Sequence, residues 1–371
     1  MTQDQNPLRL IHELGQSFWI DFIDREMLTK KHLDRMIKED GLRGLTSNPS
    51  IFEKAILSTT DYDTDLRNAA IQNPQGSSQD WFEQIAINDI QRASDSLMEV
   101  YTSSNKNDGY VSLEVSPLLA KDTDKTIEEA RRLWHSVNRP NLMIKIPATE
   151  EGFPAIEKLL SESININVTL IFSLEQYEKT AHAYLRGISN LAQVKNISSV
   201  ASFFVSRIDT KVDKALENIN TTQGNELKGK AAIANANQAY RLFNHIFESS
   251  EFQILKEKGA RPQRLLWGST STKNINYPDT LYVDQLIGRD TINTIPPITA
   301  EAFKDHGTAN ITLDPDNNVN QAIFVSLEEL GVDFKQICSD LLDEGVKAFA
   351  DSYSSLMTAV ETKALAKETK K

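Results

Sequence analysis

Cysteine occurs once in the 371 residues, at Cys338. No intrachain disulfide can form, and a zinc site built on several thiolates is excluded. A reducing compartment is the natural setting, so the chain reads as a soluble cytoplasmic protein. The six histidines, His12, His32, His135, His182, His245 and His306, show neither His-x-x-x-His nor His-x-His spacing, which argues against a metal centre. Nowhere do about 18 apolar residues run together, so no membrane span is expected. Met1 to Gly15 lacks the basic start and apolar core of a secretory leader. The Asn-x-Ser/Thr sites at Asn167, Asn196, Asn220 and Asn310 therefore carry no weight as glycosylation acceptors. Positive charge is scarce too: 40 Lys and Arg against 52 Asp and Glu leave a formal charge of -12. That is the wrong sign for a general nucleic-acid or anionic-membrane binder, although a local basic pocket for a phosphate remains compatible with it.

Short strand-like runs alternate with helical stretches, as in parallel βα units. They are Ser17 to Phe22, Leu42 to Asn48, Val111 to Ser116, Leu142 to Pro147, Asn167 to Phe172, Val200 to Val205, Arg264 to Ser269 and Thr291 to Ile295. Eight such units predict a single α/β domain over residues 1–371, a closed (β/α)8 TIM barrel with additional helices. An open doubly wound sheet is the competing arrangement, but no glycine-rich phosphate loop follows any early strand. A stretch from about Asp80 to Ser104 carries Trp81, Ile85, Ala93, Leu97, Val100 and Tyr101 at near-helical spacing and reads as an inserted helical layer. From Phe334 to about Ala364, Ile337, Leu341, Leu342, Val346, Phe349, Tyr353, Leu356 and Val360 form one stripe of a long helix expected to pack across the barrel, before a basic end, Lys367 to Lys371. Cys338 falls on its apolar side and reads as packed rather than reactive. The run Asp314-Pro315-Asp316-Asn317-Asn318 lacks the central glycine and closing glutamate of a calcium loop and reads as a turn and helix cap.

One residue stands out within this frame: Lys145, in the apolar run Leu142-Met143-Ile144-Lys145-Ile146-Pro147. Strand side chains alternate, so the lysine shares a face with Met143 and Pro147 and points away from Leu142, Ile144 and Ile146. Apolar surroundings favour the neutral, nucleophilic amine over the ammonium. A lysine whose head reaches water, or one paired with a carboxylate, fits the same pattern.

Barrel active sites sit at the C-terminal strand ends, and the polar residues predicted there form a set. The first strand supplies Asp21, the second Asn48, the third Glu114, the fifth Asn167 and Thr169, and the sixth Ser202 and Phe204 followed by Ser206 and Arg207. The seventh leads into Ser269-Thr270-Ser271-Thr272-Lys273-Asn274, with a second cation among hydroxyls. Singly, each also fits a structural role in a turn or a satisfied barrel interior. Together, an amine, two carboxylates, two amides, a threonine and two cations suit Schiff-base chemistry on a polyhydroxylated carbonyl compound with an anionic end. Asp24 rivals Asp21, but it falls beyond the strand, where it would cap the next helix.

The stretches Gly44-Leu45-Thr46-Ser47-Asn48-Pro49-Ser50-Ile51-Phe52, Met143 to Thr149, Asn167 to Ser173 and Ser202 to Asp209 resemble the transaldolase family. The resemblance runs from about Ser17 to Pro297, and Tyr277-Pro278-Asp279-Thr280-Leu281-Tyr282 is similar to the longer bacterial branch. It implies a cofactor-independent transferase of the pentose phosphate pathway that acts on small sugar phosphates, as a monomer or homodimer. By that resemblance Lys145 forms the Schiff base, Asp21 exchanges the proton of the C4 hydroxyl, and Glu114 with Thr169 holds a water that relays protons. Asn48, Asn167 and Ser202 would bind hydroxyls of the dihydroxyacetone unit. Arg207 and Lys273 would bind the phosphate, the latter at a position that is arginine in shorter members. Phe204 stands where the related fructose 6-phosphate aldolases resemble tyrosine, which separates transfer from the alternative, a class I aldolase releasing free dihydroxyacetone. A barrel that only binds sugar phosphates is the third alternative; its mark would be loss of Lys145 or Asp21.

Overall fold

The computed structural model describes residues 6–191, 193–316 and 319–366. Eight strands form a closed barrel, each parallel to the next and the last paired with the first. They are β1 Gln16–Asp21, β2 Gly44–Thr46, β3 Tyr110–Glu114, β4 Leu142–Pro147, β5 Ile166–Ile171, β6 Ser199–Phe204, β7 Arg264–Gly268 and β8 Thr291–Ile295. All eight expected runs are strands, in the expected order. β2 is shorter than Leu42 to Asn48 at both ends, starting only at Gly44 and stopping at Thr46, where Ser47 and Asn48 already build the turn. Pro49 occupies the first helical position and Asn48 Oδ1 accepts from the Ile51 N–H at 3.0 Å, capping the helix Pro49–Ser58.

Alternation along the strands sorts the core into two layers. Leu142, Ile144 and Ile146 face outward into the large cluster between barrel and helices. Met143 faces inward with Trp19, Tyr110, Val200, Leu266 and Ile292, filling the lower barrel interior. Above that floor the inward positions turn polar: Asp21 follows Trp19, Lys145 follows Met143, and Ser202 follows Val200. The site is thus built from the same face that packs the floor, two residues further along each strand.

Between β2 and β3 lies the inserted layer, with helices Asp63–Gln72, Ser78–Ser96 and Met98–Ser103. The single stretch expected from Asp80 to Ser104 is two helices, divided at the buried Leu97. That bend brings Tyr101 under the barrel, edge-on to Tyr110 with ring centroids 5.3 Å apart. The last helix, Phe334–Ala364, has the expected limits and starts at Asp333, whose side chain accepts from the Gln336 N–H at 2.9 Å. Its buried face differs in detail. Cys338, Leu341, Gly345, Phe349, Tyr353 and Leu356 are buried, whereas Ile337, Leu342 and Val346 are only partly so. Two small residues, rather than the aliphatic ones, mark where it comes closest to the barrel. The expected turn at Asp314 is present as far as Asp316, whose N–H donates to Asp314 Oδ1 at 3.0 Å. Asn317, Asn318 and the basic end Lys367 to Lys371 lie outside the described residues.

Candidate active site at the barrel mouth

Lys145 is 3% exposed. It is also paired: Glu114 Oε2 lies 3.4 Å from Nζ, and Nζ donates to the Ser47 carbonyl at 3.3 Å. Of the alternatives left open by the sequence, burial and carboxylate pairing are both realised, and a head in open water is not. The pairing follows from register, because Glu114 and Lys145 are direct partners across β3 and β4. Burial pushes the Glu114 carboxyl up to about 7, against the pull of Lys145 and with a further push from Asp21. Burial likewise raises Asp21, opposed first by the charge of Lys145 and then by the Thr46 hydroxyl. Thr46 Oγ1 lies 2.6 Å from Asp21 Oδ1 and 2.7 Å from Thr294 Oγ1, a short hydroxyl chain behind the carboxylate.

Asn167 is the neighbour of Lys145 on β5. Its amide is held from both sides: Nδ2 donates to Ser112 Oγ at 3.0 Å, and Oδ1 accepts from Ser202 Oγ at 2.7 Å. Ser112 thus joins Asn167 and Ser202 in one hydroxyl–amide array, a member the sequence reading did not single out. Thr169 is fully buried, and its Oγ1 has no hydrogen-bond partner among the described residues, while the only partner of Glu114 Oε2 among them is the Lys145 ammonium. Buried polar atoms are nearly always satisfied, so the free Thr169 hydroxyl, on the same strand as Asn167 and two residues beyond it, is open to a polar guest. Just after Thr169, β5 bulges: the pairing with β6 shifts between Val168 and Ile171, and Leu170 takes φ 60°. Such a left-handed leucine is a strained backbone that sites commonly carry.

Asp24 is separated from this cluster. It caps the helix Arg25–Thr29, accepting from the Met27 N–H at 2.7 Å. Asn48 lends Oδ1 to its helix cap and leaves Nδ2 as the group able to donate elsewhere. Phe204 projects beside Phe172, with ring centroids 5.4 Å apart, and the Arg207 guanidinium lies 5.7 Å from the Phe204 ring centre.

Arg207 stands in the first turn of the helix Ser206–Ile219, directly after β6. Burial holds its guanidinium below the usual arginine value, and no carboxylate lies within ion-pair distance among the described residues. Lys273 Nζ lies 3.0 Å from Ser271 Oγ. Its ammonium is held below the ordinary lysine value, first by burial and then by the charges of Arg207 and Lys54. Asp21 and Glu344 offset this only in part, and neither forms an ion pair with these cations among the described residues, an arrangement suited to an anion. Lys54, from the helix that Asn48 caps, was missed by the sequence reading; its spacing is that of any exposed helix lysine.

The loop carrying Lys273 is tied to the helix carrying Arg207. Tyr277 donates to Asp213 Oδ2 at 2.6 Å and Tyr282 to Asp209 Oδ2 at 2.9 Å. The Tyr277 to Tyr282 run therefore has a physical role: it fixes one cation relative to the other.

The chain matches the family model described as Transaldolase/Fructose-6-phosphate aldolase over residues 18–360. It is 44% identical over 354 residues to a transaldolase of Thiobacillus denitrificans, covering 94% of this chain and 98% of that protein. A transaldolase of Thermobifida fusca is 44% identical over 360 residues, covering 96% of this chain and 97% of its own length. One from Trichodesmium erythraeum is 42% identical over 372 residues, with 96% and 97% covered.

Proposed function

The chain belongs to the transaldolase/fructose-6-phosphate aldolase family, and from that premise we propose that it catalyses the transaldolase reaction. A dihydroxyacetone unit moves from sedoheptulose 7-phosphate to glyceraldehyde 3-phosphate, giving erythrose 4-phosphate and fructose 6-phosphate. The observation that carries this reading is the buried Lys145 amine with Glu114 at 3.4 Å, inside a ring of hydroxyl and amide groups and below unpaired cations.

Lys145 attacks the ketose carbonyl, and a water held between Glu114 and Thr169 carries protons as the carbinolamine loses water. Thr169 offers a buried hydroxyl without a partner among the described residues, and Glu114 a carboxylate whose one partner there is the amine itself. In the iminium, Asp21 accepts the proton of the C4 hydroxyl, the C3–C4 bond breaks, and the electrons pass into the imine as an enamine. A buried carboxylate whose charged form is disfavoured is a capable base for that step. Asn48, Asn167 and Ser202 hold hydroxyls of the three-carbon unit, while Arg207 and Lys273 hold the phosphate. The acceptor aldehyde then receives the unit from C3 and takes the proton back from Asp21. Phe204 offers no acidic hydrogen near the enamine, which favours transfer over release as free dihydroxyacetone. We place the enzyme in the cytoplasm as a monomer or homodimer, which sedimentation distinguishes.

Sodium borohydride added with fructose 6-phosphate should leave a reduced three-carbon adduct on Lys145, seen by peptide mapping. Lys145→Arg should abolish it, because arginine stays protonated and cannot form the imine. An adduct on any other lysine would remove Lys145 from this role.

A further inference from the structure

The last helix reaches the catalytic lysine. Its face toward the barrel carries Cys338, Gly345, Phe349 and Ser352, and each meets a different part of the mouth. Cys338 Sγ donates to the Phe172 carbonyl at 3.4 Å, and Ser352 Oγ accepts from Ser50 Oγ at 2.8 Å. Gly345 lies so near the bulge in β5 that a Cβ there would stand 3.0 Å from Leu170 Cδ2 and 3.7 Å from Arg207 Nη1. One turn on, the Phe349 ring centre lies 5.8 Å from Lys145 Nζ, and the residue is 4% exposed. The helix is anchored along its length, by Lys211 to Glu344 at 2.6 Å and to Asp340 at 3.2 Å, and by Lys363 to Asp63 at 2.8 Å.

From this geometry we infer that Phe349 is a specificity-determining wall of the active site: it keeps water beyond the one held between Glu114 and Thr169 from the Lys145 adduct and so sets the ratio of transfer to release. The inference rests on the Schiff-base reading above. After C3–C4 cleavage the enamine has two fates. In release, the nitrogen lone pair drives the C2=C3 electrons to a proton of water, forming a C3–H bond and an iminium. The hydroxide left behind adds to C2, the C2–N bond breaks with a proton returned to nitrogen, and free dihydroxyacetone departs, one water having been consumed. In transfer, C3 instead bonds to the acceptor aldehyde carbon, and water enters only afterwards. The first route needs a water free to reach C3 before the acceptor arrives, other than the one held between Glu114 and Thr169, and a phenyl ring 5.8 Å from the amine takes up room for it. Bulk at this position, rather than aromatic character, is then what matters.

Two variants separate the possibilities. Phe349→Ala opens the space and should raise free dihydroxyacetone formed from fructose 6-phosphate alone, relative to sedoheptulose 7-phosphate formed with erythrose 4-phosphate present, by roughly tenfold or more. Phe349→Leu still fills it and should keep that ratio within about threefold of the unmodified protein. Both should still give the borohydride adduct on Lys145. An unchanged ratio in folded Phe349→Ala overturns the inference and makes Phe349 a packing residue. A rise in Phe349→Leu as large as in Phe349→Ala overturns it as well, as does loss of the adduct in either folded variant. If Phe349→Ala does not fold, Phe349→Val takes its place with the same expected rise. Failure of the unmodified protein to give the adduct on Lys145 is a distinct result, which rejects the Schiff-base reading itself.

Discussion

Glu114 is where the residue scale decides a measurable property. Burial lifts its carboxyl to about 7, and its Oε2 lies 3.4 Å from the Lys145 amine, whose proton it would take in the proposed reaction. Only the ionised carboxylate can take that proton. The rate of adduct formation should therefore fall as pH drops below about 7, and Glu114→Gln should lose this limb along with most of the rate. A trapping rate that is flat in the unmodified protein from about pH 6 to 8 would remove Glu114 from the relay. At this scale Lys145, Asp21 and Glu114 were legible because a charged residue interrupts an apolar alternation. Thr46, Ser112 and Thr294 were not, since hydroxyl residues are common in strands for reasons of packing alone. Only register shows that Thr46 backs Asp21 and that Ser112 holds Asn167.

At the scale of elements, the junction of β6 with its helix determines where the phosphate would sit. Ser206 Oγ lies 2.9 Å from Ser269 Oγ, and the Ser206 N–H donates to the Ser269 carbonyl at 3.0 Å, so the loops after β6 and β7 are joined at the mouth. Arg207 leaves this junction with its guanidinium against Phe204. Arg207→Ala should raise KM for phosphorylated substrates at least tenfold, by loss of a charge-assisted bidentate contact, and change KM for unphosphorylated sugars little. Equal changes for both substrate types would make Arg207 a structural residue. All eight strands were readable because each combines an apolar outer face with a turn at its end. The bulge at Leu170 was not, since nothing about leucine announces a positive φ. Nor was the closest approach of the last helix. A hydrophobic stripe weights Ile337, Leu342 and Val346, whereas contact with the barrel is set by where side chains are small, at Cys338 and Gly345.

For the molecule as a whole, the barrel separates chemistry from stability by putting them at opposite ends. Below the apolar floor, the buried Asp108 is 2.9 Å from Arg264 and accepts from Ser17 Oγ at 2.9 Å. The same arginine bonds Ser17 Oγ at 2.9 Å and the Asn107 carbonyl. Burial pushes the Asp108 carboxyl up, but the charge and hydrogen bond of Arg264, with those from Ser17 and Trp19, outweigh it and hold the group below its ordinary value. These partners lie 156 residues apart, so no local pattern could have joined them, and Arg264 read only as the start of a strand. Removing one member leaves the other buried and unpaired. Asp108→Ala should therefore destabilise the protein by about 3–5 kcal/mol in a denaturant titration. Replacing both, as Asp108→Leu with Arg264→Met, should cost clearly less than the single change, because no uncompensated charge remains. In each folded variant, KM and adduct formation at Lys145 should stay close to those of the unmodified protein, since the pair lies at the end of the barrel away from the amine. Intact stability with lost activity in Asp108→Ala would contradict this division and tie the lower end of the barrel to the chemistry at its mouth.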